Sequence, residues 1–141
     1  MDCLFCKIVS GKIPAYKIYE DDKFIAFLDI KPINFGHTLV IPKKHYRNLF
    51  DLPHDLTVEI GPLIKKIALA VKEATNADGI NIGWNNEPAA GQLIYHSHTH
   101  IIPRFIGDGF EHWRGKVNPT LEDFTKTADD IQEILRQGKI T

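Results

Sequence analysis

The sequence predicts an α+β domain built around a mainly antiparallel sheet. Segments with strand composition come in two groups, a long amphipathic helical pattern separates them, and a second helical pattern follows near the end. Short turns within the groups favour antiparallel hairpins, although a helix between two strand groups leaves a parallel crossover open. At 141 residues the chain has the length of one ordinary domain, so a single domain over residues 1–141 is predicted.

The elements follow from local composition and spacing. Five segments share strand composition and are bounded by turn residues. They cover residues 17–20, 23–28, 38–41, 79–84 and 93–102. Between the third and fourth segments, apolar residues recur every three or four positions, which predicts an amphipathic helix from residue 55 to about 76. Thr120 is a suitable N-cap for a last helix over about 120–138.

Composition and charge exclude several classes of protein. Apolar residues make up 43% and charged residues 25%, as in ordinary globular proteins. A net charge of −1 provides no basic surface for nucleic acid, and no apolar run is long enough to predict a membrane span. The first residues lack the basic start and apolar stretch of a signal peptide, so a cytoplasmic location is predicted.

Three histidines, His96, His98 and His100, occupy alternate positions of the last predicted strand. Side chains alternate between faces in a strand, so the three imidazoles are predicted to point the same way, about 7 Å apart. One histidine on a strand is usually a polar residue with satisfied partners, but three on one face would form a poor core. The row therefore predicts a functional site, in which one imidazole acts as nucleophile or base and a second assists a leaving group.

The loop before this row, residues 85–92, is rich in turn formers and amide side chains. Its amides and backbone N–H groups could surround a phosphate, and Gly91 would let a ligand approach the backbone closely. A polar turn between two strands explains the same composition equally well.

Cys3 and Cys6 form a Cys-x-x-Cys motif with three interpretations. A redox motif is expected to follow a strand and open a helix, and only two residues precede Cys3. The thiols could also be incidental. A tetrahedral zinc site would need two further ligands, and seven histidines are available, among which the spacing alone does not choose.

Several motifs resemble those of the histidine triad (HIT) family of nucleotide hydrolases and transferases. The histidine row preceded by Gly91 and Gln92, the cysteine motif and two central segments match in the family's order. The matching segments are 3–8, 11–15, 26–30, 36–45, 91–92 and 96–102. The resemblance points to the bacterial and archaeal zinc-containing branch. It implies a five-stranded antiparallel sheet with two main helices, and a two-fold homodimer with a joined sheet.

The resemblance also implies a purine nucleotide substrate and a role for each matching residue. His98 would attack the α-phosphorus of a nucleoside phosphoramidate or dinucleoside polyphosphate and form a covalent nucleotidyl intermediate. His100 would bond to the phosphate or to the bridging atom of the leaving group, and His37 would orient the nucleophile. The implied nucleotide-binding residues are Asp29, for the ribose hydroxyls, and Asn85, Gln92, Leu93 and His100, around the phosphate.

The zinc ligands implied by the resemblance are Cys3, Cys6, His45 and His96. Four protein ligands close the coordination shell, so one structural zinc per chain is expected. His96 would hold the metal two residues before His98, and zinc would then fix the register of the catalytic segment.

Three features depart from the family pattern. Ser97 and Thr99 replace apolar residues, Leu93 replaces a serine or threonine, and residues 88–90 replace a glycine-rich or charged stretch. Buried hydroxyls at the first two positions would need partners. Ser97, Thr99 and Leu93 keep open a second function, a zinc-stabilised nucleotide-binding regulatory module with little turnover, although the presence of His98 favours the enzyme. The aromatic segment 110–114 predicts a tail that reaches the partner's site, or one that packs on its own domain.

Overall fold

The computed structural model describes residues 2–140, and the chain divides into two compact units at residue 108. In the first unit, five strands form one sheet in the order β1-β2-β3-β5-β4, and every neighbouring pair is antiparallel. The strands are β1 (Lys17–Glu20), β2 (Phe24–Leu28), β3 (Thr38–Pro42), β4 (Gly79–Gly83) and β5 (Thr99–Arg104). The predicted five-stranded antiparallel sheet is confirmed.

The long helix α2 (His54–Thr75) connects β3 to β4. These two strands run in the same direction, but β5 lies between them and pairs antiparallel with both. The crossover therefore occurs without a parallel ladder among the described strands. The helix ends where Asn76 takes a left-handed conformation with φ 53°, close to the predicted boundary. No helix in residues 2–140 is both long and apolar enough to cross a membrane.

Both faces of the sheet are covered, so β2 and β3 are buried along most of their length. One face packs against α2 and contributes Phe24, Ala26, Val40 and Ile101. The other packs against a short helix, α1 (Leu4–Val9), and contributes Ile25, Phe27, Leu39 and Ile41. Each fully buried large apolar side chain contributes about 1.5–3 kcal/mol. His100 pairs with Leu39 across β3 and β5, so it lies on the α1 face of the sheet.

Two local features differ from the sequence prediction. Helix α1 was not predicted because its six residues are too few for a periodic pattern, and Cys3 caps it by accepting from the Cys6 N–H at 3.4 Å. The last strand was predicted to begin at residue 93, but β5 begins at Thr99. The Ser97 N–H donates to the Tyr46 carbonyl at 2.7 Å, so this part of the chain bonds to the loop after β3 instead of continuing the ladder.

The second unit, from residue 109 onward, contains helix α3 (Leu121–Arg136). Thr120 is its N-cap, as predicted, and forms a capping box with Asp123. The apolar side chains of α3 are exposed, including Leu121, Phe124, Ile131 and Leu135.

Candidate active site and metal centre

All three histidines of the row lie on the α1 side of the sheet, but they do not form a regular strand. His96 and His98 both pack edge-on against Phe5 of α1, with ring centroids 5.9 and 5.2 Å away. Only His100 belongs to β5, and its ring lies 5.0 Å from that of His98, closer than the predicted spacing. The irregular backbone before β5 therefore brings these two imidazoles together while His96 reaches a different cluster.

The backbone carbonyl of His96 holds His98 in one tautomer. Its Nδ1 lies 2.7 Å from the His96 carbonyl oxygen, which can only accept a hydrogen bond, so Nδ1 carries the proton. Nε2 of the neutral ring then has a free lone pair. Burial lowers the pKa of His98 below its ordinary value, which favours the neutral form. An uncharged imidazole with an available ring nitrogen can act as a nucleophile or a base.

His37 and His100 form a second defined pair beside His98. The Ile33 N–H donates to His37 Nδ1 at 3.1 Å, so His37 Nε2 carries the proton and donates to His100 Nδ1 at 2.9 Å. His100 Nε2 therefore carries a proton as well. Burial is the main cause that lowers the pKa of both rings, and it brings that of His100 to about 4. The pair is neutral at pH 7 and offers an N–H donor next to His98.

Asp29 lies at the far end of this row. Its Oδ2 is 3.7 Å from His37 Nε2, which is too long for a hydrogen bond, while its Oδ1 accepts from the Lys31 N–H at 2.9 Å. The Asp29 N–H donates to the His37 carbonyl at 2.8 Å, which ties the end of β2 to the start of β3. Oδ2 therefore remains available to accept hydrogen bonds from a ligand.

The predicted phosphate-binding residues lie in different environments. Asn85 comes two residues after Gly83, which pairs with His100, and one residue after Trp84, which bonds to Ser97. Its half-buried side-chain amide has no hydrogen-bond partner in the part of the chain that the structure describes. Leu93 is 87% exposed. Gln92 is 2% exposed and its side chain is turned into the protein.

The Gln92 amide has no remaining capacity for a ligand. Its Oε1 accepts from Asn48 Nδ2 at 3.1 Å and from the Glu87 N–H at 2.9 Å. Its Nε2 donates to the Arg47 carbonyl at 2.7 Å and to the Ile94 carbonyl at 3.1 Å. Since an amide side chain offers two donors and two acceptor lone pairs, all four are used.

The four predicted zinc ligands converge on one point. Their donor atoms in Cys3, Cys6, His45 and His96 all lie within 4.8 Å of one another. His96 Nδ1 is 3.5 Å from each sulfur, and His45 Nδ1 is 3.4 Å from Cys6 Sγ. Standard zinc–sulfur and zinc–nitrogen bonds at tetrahedral angles require nitrogen–sulfur separations of about 3.5 Å. The donor set and its spacing therefore fit zinc.

The tautomer of His96 also fits a metal. Its Nε2 lies 2.8 Å from the Pro42 carbonyl and must donate to it, which leaves Nδ1 unprotonated and directed at the two sulfurs. A second group of potential ligands, Asp29, His37 and His100, is equally compact. There, His37 Nε2 carries a proton shared with His100 Nδ1, so both nitrogens are already used and the group does not fit a metal.

The supporting groups were not predicted from the sequence. Carbonyl oxygens of Pro42 and His96, the Ile33 N–H and the Phe5 ring fix the histidines, and no local motif marks them. Of the two unusual hydroxyls, Ser97 accepts from Trp84 Nε1 at 3.1 Å. Thr99 Oγ1 is buried without a hydrogen-bond partner among the described residues.

Comparison with known proteins agrees with this architecture. The HIT domain family profile matches residues 10–107. The crystal structure of SMU.412c from Streptococcus mutans UA159 aligns with a TM-score of 0.89 at 46% identity, covering 95% of this chain and 85% of that one. A zinc-bound histidine triad family protein from Mycobacterium smegmatis aligns with a TM-score of 0.74 at 39% identity, covering 99% of both chains.

A plant relative has a named activity. Adenylylsulfatase HINT3 of Arabidopsis thaliana is 45% identical over 103 residues, which cover 73% of this chain and 52% of that protein. The family match spans more than half of the chain and contains the sheet and the histidine cluster. The chain belongs to the HIT domain family.

Proposed function

We propose that this protein is a nucleotide hydrolase that acts at the α-phosphate of purine nucleoside phosphoramidates or dinucleoside polyphosphates. The reaction passes through a covalent nucleotidyl-His98 intermediate. The observation that carries the proposal is the tautomer of His98, in which Nδ1 donates to the His96 carbonyl and Nε2 keeps a free lone pair. The named activity of the Arabidopsis relative, an adenylylsulfatase, supports chemistry at an adenylyl group and adds adenylyl sulfate as a test substrate.

In the first step, His98 Nε2 attacks the α-phosphorus, and the bond from phosphorus to the leaving group breaks as the new bond forms. His100 Nε2–H is placed to donate to the bridging atom or to a phosphoryl oxygen, because His37 holds the other ring nitrogen. Asp29 Oδ2 accepts the ribose hydroxyls. Water then cleaves the nucleotidyl-histidine bond, which releases the nucleoside monophosphate and restores neutral His98.

We propose one zinc ion per chain, held by Cys3, Cys6, His45 and His96. Bound zinc would supply a structural cross-link between α1, the loop after β3 and the catalytic segment. Four protein ligands leave no open position, so the site is structural. His96 connects the metal site to the reaction, because its ring faces the sulfurs while its carbonyl holds His98 Nδ1.

The homodimer with a joined sheet is also proposed. The family resemblance suggests it, and exposed apolar side chains of α2 (Val58 and Leu69) and of α3 offer surfaces to cover. Sedimentation equilibrium of the full chain tests it. A monomer over the working concentration range would contradict the proposal.

The enzyme is tested by offering adenosine 5′-phosphoramidate, diadenosine tetraphosphate and adenylyl sulfate separately and resolving the products by chromatography. His98→Ala is the test variant, and His54→Ala, at the exposed start of α2, is the matched control. AMP release from at least one substrate by wild type and His54→Ala, but not by His98→Ala, is expected. Nucleotide binding without turnover in the wild type would instead support the regulatory module.

A further inference from the structure

Four residues form a hydrogen-bonded clamp between the loop after β3 and the loop after β4. We call Arg47, Asn48, Glu87 and Gln92 the clamp. Its centre is buried, since Asn48 is 1% and Gln92 is 2% exposed. The Asn48 Nδ2 group donates to both Gln92 Oε1 and Glu87 Oε1, at 3.1 and 2.9 Å. Because the buried amides are fully paired, the two loops are held at a fixed separation.

The outer part of the clamp is an ion pair. Arg47 donates through Nε and Nη2 to the two carboxylate oxygens of Glu87, at 3.1 and 2.7 Å. Its guanidinium carbon lies 4.5 Å from the centre of the Tyr95 ring. The Arg47 guanidinium is the main cause that lowers the pKa of Glu87 to about 2, so the carboxylate is charged at neutral pH. The paired geometry fixes the direction of the Glu87 side chain.

The clamp maintains a strained backbone. Glu87 has φ 76° and ψ 158°, a conformation in which a side chain is unfavourable and glycine is preferred. Its N–H donates to Gln92 Oε1 at 2.9 Å, and its carbonyl accepts from the N–H groups of Ala90 and Gln92. Strain of this kind persists only where several contacts determine the conformation together, and here it occurs two residues after Asn85.

The residues on either side of Asn85 are also fixed. Trp84 donates through Nε1 to Ser97 Oγ at 3.1 Å, and Asn86 Oδ1 accepts from the Leu49 N–H at 2.8 Å. The Asn85 Nδ2 group is 3.6 Å from the position that a Cβ on Gly91 would occupy, so the amide lies against the bend of the loop. Asn85 therefore presents an amide that no other described residue uses, on a backbone that its neighbours hold in place.

We propose that Glu87 and Gln92 are positioning residues: the clamp holds the Asn85 amide where it donates to a phosphoryl oxygen of the substrate on His98. Neither Glu87 nor Gln92 touches the substrate. This inference rests on the proposed function, and it replaces the role of phosphate ligand that the family resemblance implies for Gln92. The four occupied hydrogen bonds of Gln92 and the unused amide of Asn85 are the observations that carry it.

A double-mutant cycle of Glu87→Gly and Asn85→Ala tests the proposal. Glycine adopts the backbone conformation of residue 87 without strain, so the variant removes the ion pair without forcing a misfold. We expect Asn85→Ala to lower kcat about 10²-fold and Glu87→Gly to lower it at least about tenfold. The double variant should be no slower than Asn85→Ala, because both changes remove the same contact. Losses that multiply in the double variant would overturn the proposal.

Two further measurements separate positioning from general disruption. The Kd for adenosine, which lacks a phosphate, should stay unchanged in Glu87→Gly because the Asp29 end of the site is intact. Weaker adenosine binding in that variant would indicate a structural role and overturn the proposal. Glu87→Gln, which keeps an acceptor for Asn48, should recover part of the lost kcat. Failure of this conservative variant to exceed Glu87→Gly would count against the clamp.

An activity-independent measurement keeps this inference distinct from the proposed function. Nitrogen-15 relaxation of the Asn85 side-chain amide, assigned by its loss in Asn85→Ala, should show an ordered group in the wild type and a mobile one in Glu87→Gly. Equal order in both proteins would overturn the clamp even if the enzyme is active. A wild type without His98-dependent turnover would refute the proposed function while this measurement still tests the clamp.

Discussion

His96 and His98 are two buried histidines two residues apart, and backbone carbonyls hold them in opposite tautomers. His96 donates through Nε2 to the Pro42 carbonyl, so its free nitrogen is Nδ1, which faces two sulfurs. His98 donates through Nδ1 to the His96 carbonyl, so its free nitrogen is Nε2. The difference shows that a backbone acceptor fixes which ring nitrogen is free, and that the groups around that nitrogen then determine what it can bind.

The largest expected effect is that the two alanine variants lose different properties: turnover alone for His98, and zinc and stability for His96. His98→Ala should lower turnover at least about 10³-fold, because the covalent route is lost, while zinc content and nucleotide binding persist. His96→Ala should lose zinc and stability, and turnover as a consequence. Metal analysis, denaturant unfolding and product chromatography on both variants check this. Retained turnover in His98→Ala would refute the covalent mechanism.

Removal of the metal should lower the stability of the fold, because His96 and the other three ligands would lose their cross-link. Purified protein should carry about one zinc per chain, and chelation should lower the free energy of unfolding by about 4 kcal/mol if free zinc exceeded its Kd a thousandfold. Cys6→Ser should behave like the chelated protein, and Ser10→Ala, at the exposed end of α1, serves as the control. Metal-free wild type with unchanged stability would contradict a structural zinc.

The pH dependence of stability tests the neutral state of the catalytic cluster. Burial lowers the pKa of His100 in the folded protein from 6.5 to about 4. Between these values the unfolded chain binds a proton that the folded chain does not bind, so this stability is complete above pH 6.5 and falls as the pH decreases toward 4. The loss should be on the order of 3 kcal/mol.

His100→Gln removes this titration and should flatten the dependence. Urea unfolding of wild type and variant at pH 7.5 and pH 4.5, in the same zinc buffer, gives the difference between the two proteins at each pH. Protonation of the zinc ligands affects both proteins and cancels in that difference. An identical difference at both pH values would show that His100 does not titrate as its burial implies.

The sequence predicted the large elements because their signals are local. The strand segments and the periodicity of α2 arise from apolar residues that pack on the two faces of the sheet, and the same elements are present in the structure. Helix α1 was missed because its six residues carry no periodic signal. The predicted start of the last strand was wrong because the backbone N–H of Ser97 bonds to the Tyr46 carbonyl, a contact between residues far apart in sequence.

The grouping of the site residues could be predicted, but the tautomers of the histidines could not. Family resemblance suggested the zinc ligands and the catalytic histidines His98, His100 and His37, and the structure brings each group together. The tautomers depend on the Pro42 carbonyl and the Ile33 N–H, which carry no sequence signal because every residue type supplies backbone groups of this kind. For the same reason the saturated amide of Gln92 became evident only from its partners.

The smallest expected effect concerns the two hydroxyls that alternate with the histidines. Thr99 Oγ1 is buried without a partner among residues 2–140. Valine has nearly the same shape and suits a strand, so Thr99→Val should raise the free energy of unfolding by about 1–2 kcal/mol. Ser97→Ala should lower it by about 1 kcal/mol, because the Trp84 indole N–H loses its acceptor. Urea unfolding of both variants measures the two signs, and Thr99→Val should change kcat by no more than about twofold, since the Thr99 hydroxyl lies outside the proposed contacts. A less stable Thr99→Val would mean that Oγ1 has a partner such as a buried water, and the hydroxyl would then belong to the structural support of the histidine segment.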